Sequence, residues 1–184
     1  MLTGPEIEKR MREGQILIRP YDGANLNPNS YNLTLGGRVL VWYGQCGDAA
    51  AFDAAKPPPK PDYTINFANH MGRFLLRPGN LYLAETVEYT ETHGALVPCI
   101  QGRSSLARLG LEVHRTAGYG DTFFAGTWTL EMTVVRPLWV YGGMKVCQIY
   151  YLPAVGQVTP YAGKYQHQTG PTSSRMFLEM KKGV

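Results

Sequence analysis

Short runs of period-two hydrophobic alternation, broken at close intervals by Gly and Pro, constrain this chain most. Ile16 and Ile18 stand two apart between Gln15 and Arg19, and Tyr31, Leu33 and Leu35 alternate with Asn32 and Thr34. That period is the signature of a strand with one buried face. Val39 to Trp42 continues as a more apolar strand. Further short strands are expected at Phe74–Leu76, Leu81–Glu88, Ala95–Ile100, Thr127–Val135, Leu138–Tyr141 and Lys145–Leu152. Among 184 residues, 21 Gly and 13 Pro supply the turns between them. One short helix is expected at the start, Thr3 to Gly14. There Thr3 and Glu6 suit a capping box, Pro5 sits in the first turn, Gly14 stops the helix, and Ile7 with Met11 forms its buried stripe. Many short strands with one helix point to a sandwich or roll, not to alternating α/β units.

The length suits a single domain, 1–184, with a sizeable core. Residues 45–61 are rich in Ala, Gly and Pro, with Pro57-Pro58-Pro59 at their centre, and are expected to form an exposed loop. Cys46, Cys99 and Cys147 are odd in number and lack C-x-x-C spacing, so they read as reduced thiols of a cytoplasmic protein. No apolar run approaches the ~18 residues of a membrane span, and no signal peptide opens the chain. The formal net charge is +4, but the basic residues form no run of the kind that binds nucleic acid. Cationic groups converging on an anionic small molecule account for the charge equally well.

Three segments carry candidate chemistry. Gly102 to Gly110 places Arg103, Ser104, Ser105 and Arg108 within six residues between glycines. Guanidinium forks match phosphate oxygens and Ser adds short neutral donors, so the segment suits a polyphosphate cradle; a polar turn opening a helix is the plainer reading. His114 to Asp121 surrounds Tyr119 with glycines and ends on an acid able to accept from a sugar hydroxyl. In Thr127–Thr133, alternation puts Trp128, Leu130 and Met132 on one face and Thr127, Thr129, Glu131 and Thr133 on the other. Glu131 is then a candidate general base, or a solvated Glu on an edge strand. The segment 161–184 begins as a donor-rich, mobile tail suited to closing over phosphates. Zinc-dependent base deamination needs an H-x-E and a P-C-x-x-C element. None of the four His has Glu two residues later, and Gly102 stands where the second Cys after Pro98-Cys99 would be. A zinc mechanism is excluded on that ground.

Taken together, these segments resemble the dCTP deaminases of the dUTPase-like superfamily, over nearly the whole chain. The resemblance runs through Gly14–Ile18, Asn27–Gly36, Gly102–Gly110, Thr116-Ala117-Gly118 with Asp121, Thr129-Leu130-Glu131, Gly143–Gln148 and Gly163–Thr172. It implies a mainly β fold, a distorted β-roll or jelly-roll of the dUTPase-like (β-clip) type with a short N-terminal helix. It also implies a homotrimer with active sites shared between subunits, and Mg2+ bound only through the substrate's triphosphate. Carried over by position, Glu131 looks like the catalytic base, with Ser104, Ala117 and Arg108 placing water and substrate. Arg103, Ser105 and Thr116 join them in binding substrate. Asp121 looks like the holder of the 3′-hydroxyl, Thr129 and Gln148 line the base and sugar pocket, and Tyr161, Lys164 and Gln168 resemble a phosphate clamp. The sequence departs from the family pattern at Asn32, at Gly120 and at Thr122-Phe123, so the turn bearing Asp121 is expected to differ in shape.

The leading expectation is deamination of dCTP to dUTP and ammonia, with dTTP as feedback inhibitor. The alternative is a bifunctional enzyme that carries dUTP on to dUMP and pyrophosphate, which the Gly118-Tyr119 pair resembles. A dUTPase without deaminase activity would not need Glu131, and a non-enzymatic nucleotide-sensing trimer is the remaining alternative.

Overall fold

The computed structural model describes residues 1–42, 51–70 and 72–180. Helix α1, Gly4–Arg12, opens the chain and Gly14 ends it in a left-handed conformation, φ +72°. Ile7 is fully buried and Met11 packs against the core, as the stripe predicts. The capping box does not form: Thr3 holds the cap position without a side-chain bond, and Glu6 instead accepts from Arg10 Nε at 2.8 Å.

Ten strands follow among the described residues: β1 Ile16–Arg19, β2 Tyr31–Trp42, β3 Tyr63–Asn66, β4 Arg73–Leu76, β5 Leu81–Thr92, β6 Leu96–Gly102, β7 Leu111–Glu112, β8 Ala125–Val134, β9 Leu138–Tyr141 and β10 Lys145–Pro153. A four-residue helix, α2 (Ser104–Ala107), lies between β6 and β7, and α3 (Phe177–Met180) lies near the end. Eight strands make one antiparallel sheet with the path β6-β10-β2-β5-β8-β7, β1 adding to β5 and β3 to β2. Strands β4 and β9 form a separate pair. The long strands β2 and β5 change partners along their length, so the sheet curls into a roll. β2 pairs β10 through Tyr31–Thr34 and β5 through Leu35–Trp42. Each change coincides with a register shift, the local bend that a bulge supplies.

The inner faces meet in one core. Tyr31, Leu33 and Leu35 of β2, Tyr82 of β5, Leu130 and Met132 of β8, and Ile149 and Tyr151 of β10 are all buried. Period-two residues therefore point inward as expected. Among the buried polar residues of this layer, Glu88 accepts from the backbone N–H of Thr34 at 2.8 Å and from its hydroxyl at 2.9 Å. Burial pushes its carboxyl above the ordinary glutamate range, because those two donors only partly replace water.

Cys99 and Cys147 are buried and unpaired, and burial pushes both thiols up, which makes them poor nucleophiles. Cys46 lies outside the described residues, as do residues 45–50 of the Ala/Pro-rich loop. The rest of that loop is largely exposed and carries no strand. Trp42 ties it back, its indole N–H donating to Pro59 O at 3.1 Å and its ring meeting Phe52 edge-on at 5.9 Å. Asn32 donates to Asn25 O at 3.2 Å and Asn27 Oδ1 at 3.1 Å, a structural role. No helix among the described residues is long and apolar enough to cross a membrane.

Candidate active site

Strand β8 carries the candidate base, and its alternation is as the sequence predicts from Trp128 onward. Trp128, Leu130 and Met132 are buried, while Thr129, Glu131 and Thr133 are half-buried on the opposite face. Leu83 of β5 stands beside Glu131 in register, and Glu85 stands beside Thr129. One carboxylate oxygen of Glu131, Oε2, accepts from the backbone N–H of Arg115 at 3.2 Å. The His114–Asp121 segment is thereby attached to β8 at one end. At its other end it is hung from β6: Ile100 N–H donates to Gly118 O at 2.6 Å, and Gly120 N–H donates to Pro98 O at 2.9 Å.

Between these attachments lies a cavity of about 570 Å³ whose wall includes Ala117, Asp121, Thr129, Glu131, Tyr161 and Gln168. Six of the residues singled out by sequence thus share one space. Thr116 sits between two lining residues, Arg115 and Ala117. Three kinds of group share the wall: a carboxylate beside apolar side chains, a second acid on a turn, and several hydroxyls. The arrangement suits a polar ring compound with a hydroxyl at one end.

The remaining predicted residues stand apart from this wall. Arg103 caps α2 and its guanidinium donates to Lys145 O at 2.9 Å, while Ser104, Ser105 and Arg108 are exposed around the buried Leu106. Gln148, on β10, accepts from Ser30 Oγ at 2.7 Å and donates to Gly102 O at 3.1 Å, which places it beside α2 and away from Glu131. Lys164 forms an ion pair with Glu179 of α3 and lines a second cavity with Tyr161 and Tyr165. The pair with Glu179 also holds its ammonium above the usual lysine range.

The tail is not a free strap. Gln168 bonds Thr127 through both its carbonyl and its side-chain amide at 3.0 Å, forming a parallel bridge to Gly126. Gly170 N–H donates to Thr127 Oγ1, and Thr172 N–H to Thr129 Oγ1, each at 3.1 Å. This explains why Thr127 is buried although alternation puts it on the open face. The tail, expected to be mobile, lies docked here on the edge of β8, where no described strand pairs with Thr127 on that side.

Phe123 adopts φ +64°, a region rarely occupied by bulky residues, and Thr122 Oγ1 donates to Thr159 O at 3.0 Å. Sequence reasoning missed the apolar end of the cavity, Trp42, Phe52, Leu81 and Leu83. It also missed the Arg115 N–H, since a backbone donor leaves no mark in residue type.

The sequence model of the dCTP deaminase-like family matches residues 1–153. The chain belongs to that family. A dCTP deaminase, dUMP-forming, of Leptospira biflexa is 45% identical over 183 residues, covering 99% of both chains. The enzyme of the same name from Cytophaga hutchinsonii is 43% identical over 183 residues, again covering 99% of both. Among solved structures, the 2′-deoxycytidine 5′-triphosphate deaminase of Agrobacterium tumefaciens shares the fold, with TM-score 0.60 and 16% identity. That match covers 82% of this chain and 47% of the other.

Proposed function

We propose that this chain converts dCTP to dUMP by two hydrolyses at one site. In the first, water adds to C4 of cytosine, the C4–N4 bond breaks, and ammonia leaves dUTP behind. In the second, water attacks the α-phosphorus, the bond to the β-phosphate oxygen breaks, and pyrophosphate leaves dUMP. The observation that carries the reading is Glu131 half-buried in one cavity wall with Ala117 and Asp121. The names of the Leptospira and Cytophaga relatives and the Gly118-Tyr119 pair favour dUMP as product over the leading expectation, release at dUTP.

In this proposal Glu131 takes the proton of the attacking water and returns it to the ring nitrogen and the leaving amine. Its Oε2 is held by Arg115 N–H, so Oε1 is the oxygen assigned to water. Positioned proton transfer of this kind contributes roughly 10²–10⁴-fold. Asp121 accepts from the 3′-hydroxyl, Thr129 faces the base, and Ala117 offers its carbonyl to the water. Arg103, Ser104, Ser105, Arg108 and Gln148 stand away from this cavity, which supports completion of the site by the α2 segment of a neighbouring copy in a homotrimer. Mg2+ would come bound to the nucleotide's phosphates, and Lys164, Tyr161 and Gln168 of the docked tail would bind those same phosphates. Feedback by dTTP belongs to the same proposal, since a 5-methyl group is the sole difference from dUTP.

The test is incubation with dCTP and Mg2+, resolving dUTP, dUMP, ammonia and pyrophosphate. Ammonia with dUMP and pyrophosphate is expected. Ammonia with dUTP alone removes the second step, and unreacted dCTP overturns the enzymatic reading.

A further inference from the structure

Asp121 and Glu131 share a cavity, yet the sheet does not set the distance between them. Gly118 and Gly120, which lead into Asp121, are bonded to β6, whereas Glu131 lies on β8. In the sheet β10, β2 and β5 stand between those two strands. Besides the Arg115 N–H bond to Glu131, the indole of Trp128 crosses the gap. Its backbone N–H donates to Thr86 Oγ1, and its ring Nε1–H donates to Thr90 Oγ1, both at 3.0 Å and both buried. Thr86 falls where the β5–β8 register shifts, between Glu85 and Tyr89, so its hydroxyl takes the backbone N–H that the ladder leaves unpaired there. Phe124 packs against the same ring at a centroid distance of 4.9 Å.

The far edge of the indole meets Gly120. A Cβ there would lie 2.5 Å from Trp128 Cη2 and 3.0 Å from Pro98 O, closer than atoms can pack. Space, not backbone conformation, requires glycine at this position. Trp128, Gly120, Asp121 and Glu131 all border the cavity.

We infer that Trp128, seated in the space left by Gly120, is a positioning residue that sets the separation of Asp121 from Glu131 and thereby selects nucleotides bearing a 3′-hydroxyl. The inference rests on the deaminase reading above. A nucleotide whose 3′-hydroxyl reaches Asp121 is then presented with its C4 at Glu131. One lacking that hydroxyl is not. A site built to bond a hydroxyl discriminates strongly against the analogue without it, because its own polar group is left unpaired.

The test compares kcat/KM for ammonia release from dCTP and from 2′,3′-dideoxycytidine triphosphate. Wild type is expected to prefer dCTP. Gly120→Ala, which pushes the indole away, is expected to lower that preference at least about tenfold, the scale of one hydrogen bond to a charged group. Trp128→Phe lacks the clashing atom, so the double variant Gly120→Ala/Trp128→Phe is expected to recover part of the preference, a coupling that independent sites do not show. Thr90→Val, which removes only the acceptor of the indole N–H, keeps the question open to test if Gly120→Ala does not fold; a smaller fall in preference is expected. A wild type that releases no ammonia from dCTP overturns the deaminase reading and this inference with it. An active wild type whose variants lose both substrates by equal factors overturns this inference alone.

Discussion

The cavity around Glu131 and the α2 segment both present polar side chains at a surface, but they are held in opposite ways. Around Glu131, three separate parts of the chain lock together: β8, the strip hung from β6, and the tail along the β8 edge. In α2, Ser104, Ser105 and Arg108 project into solvent from a single turn whose buried side chain is Leu106. The first region is finished within one chain. The second is a row of exposed donors, of which Arg103 is bonded to Lys145 O. The difference teaches that within a single copy the cavity is assembled from distant parts of the chain, while the α2 donors stand apart from it.

The largest expected effect breaks the two halves separately. Glu131→Gln is expected to lower deamination by roughly 10²–10⁴-fold with little change in stability, since the side chain is half-exposed. Ser104→Ala is expected to fall severely as well. If the halves meet across copies, mixing and reassembling these two variants restores ammonia release well above either parent. Failure to restore it, with both variants assembled, places the two halves in one copy.

A smaller effect concerns how α2 is seated. Leu106→Ala is expected to cost roughly 2–5 kcal/mol, read as a lowered denaturant midpoint, because it is the buried side chain that anchors the turn. Loss of substrate affinity should accompany it, while the wall around Glu131 stays intact.

The smallest effect lies beneath α2. Glu88 bonds Thr34, which pairs in register with Lys145, the residue whose carbonyl takes the Arg103 guanidinium, so Glu88 belongs to this half of the molecule. Burial raises the carboxyl in the folded state above its unfolded value. The native state then holds the proton more tightly, and the contribution of Glu88 to stability is full below the unfolded pKa and lost as pH rises through the folded one. Wild type is therefore expected to lose stability relative to Glu88→Gln as pH rises from the ordinary glutamate range upward. Parallel stability–pH curves for the two proteins would remove that assignment.

Period-two alternation identified β8 with its inward Trp128, Leu130 and Met132, because side-chain direction along a strand is a local property. The helix stripe at Ile7 was legible for the same reason. The capping box was not realised, since Glu6 had a stronger partner in Arg10 one turn away. Thr127 was misjudged because the tail that buries it is more than forty residues distant. Gly120 stood out in the sequence as one of the glycines around Tyr119 and as a departure from the family pattern, and the structure adds that a side chain there has no room beside an indole eight positions on.

By itself, then, the sequence determined the strand periods, the turn positions, the family and the types of residue that can do the chemistry. Those depend on neighbours one to four residues away and on motifs whose spacing is written in order. Tertiary structure alone decided that Asp121 and Glu131 face one cavity, that Trp128 spans them, and that α2 stands apart. These are distances between atoms carried on separate parts of the chain, set by where the rolled sheet bends and by which side chains fit the gap it leaves.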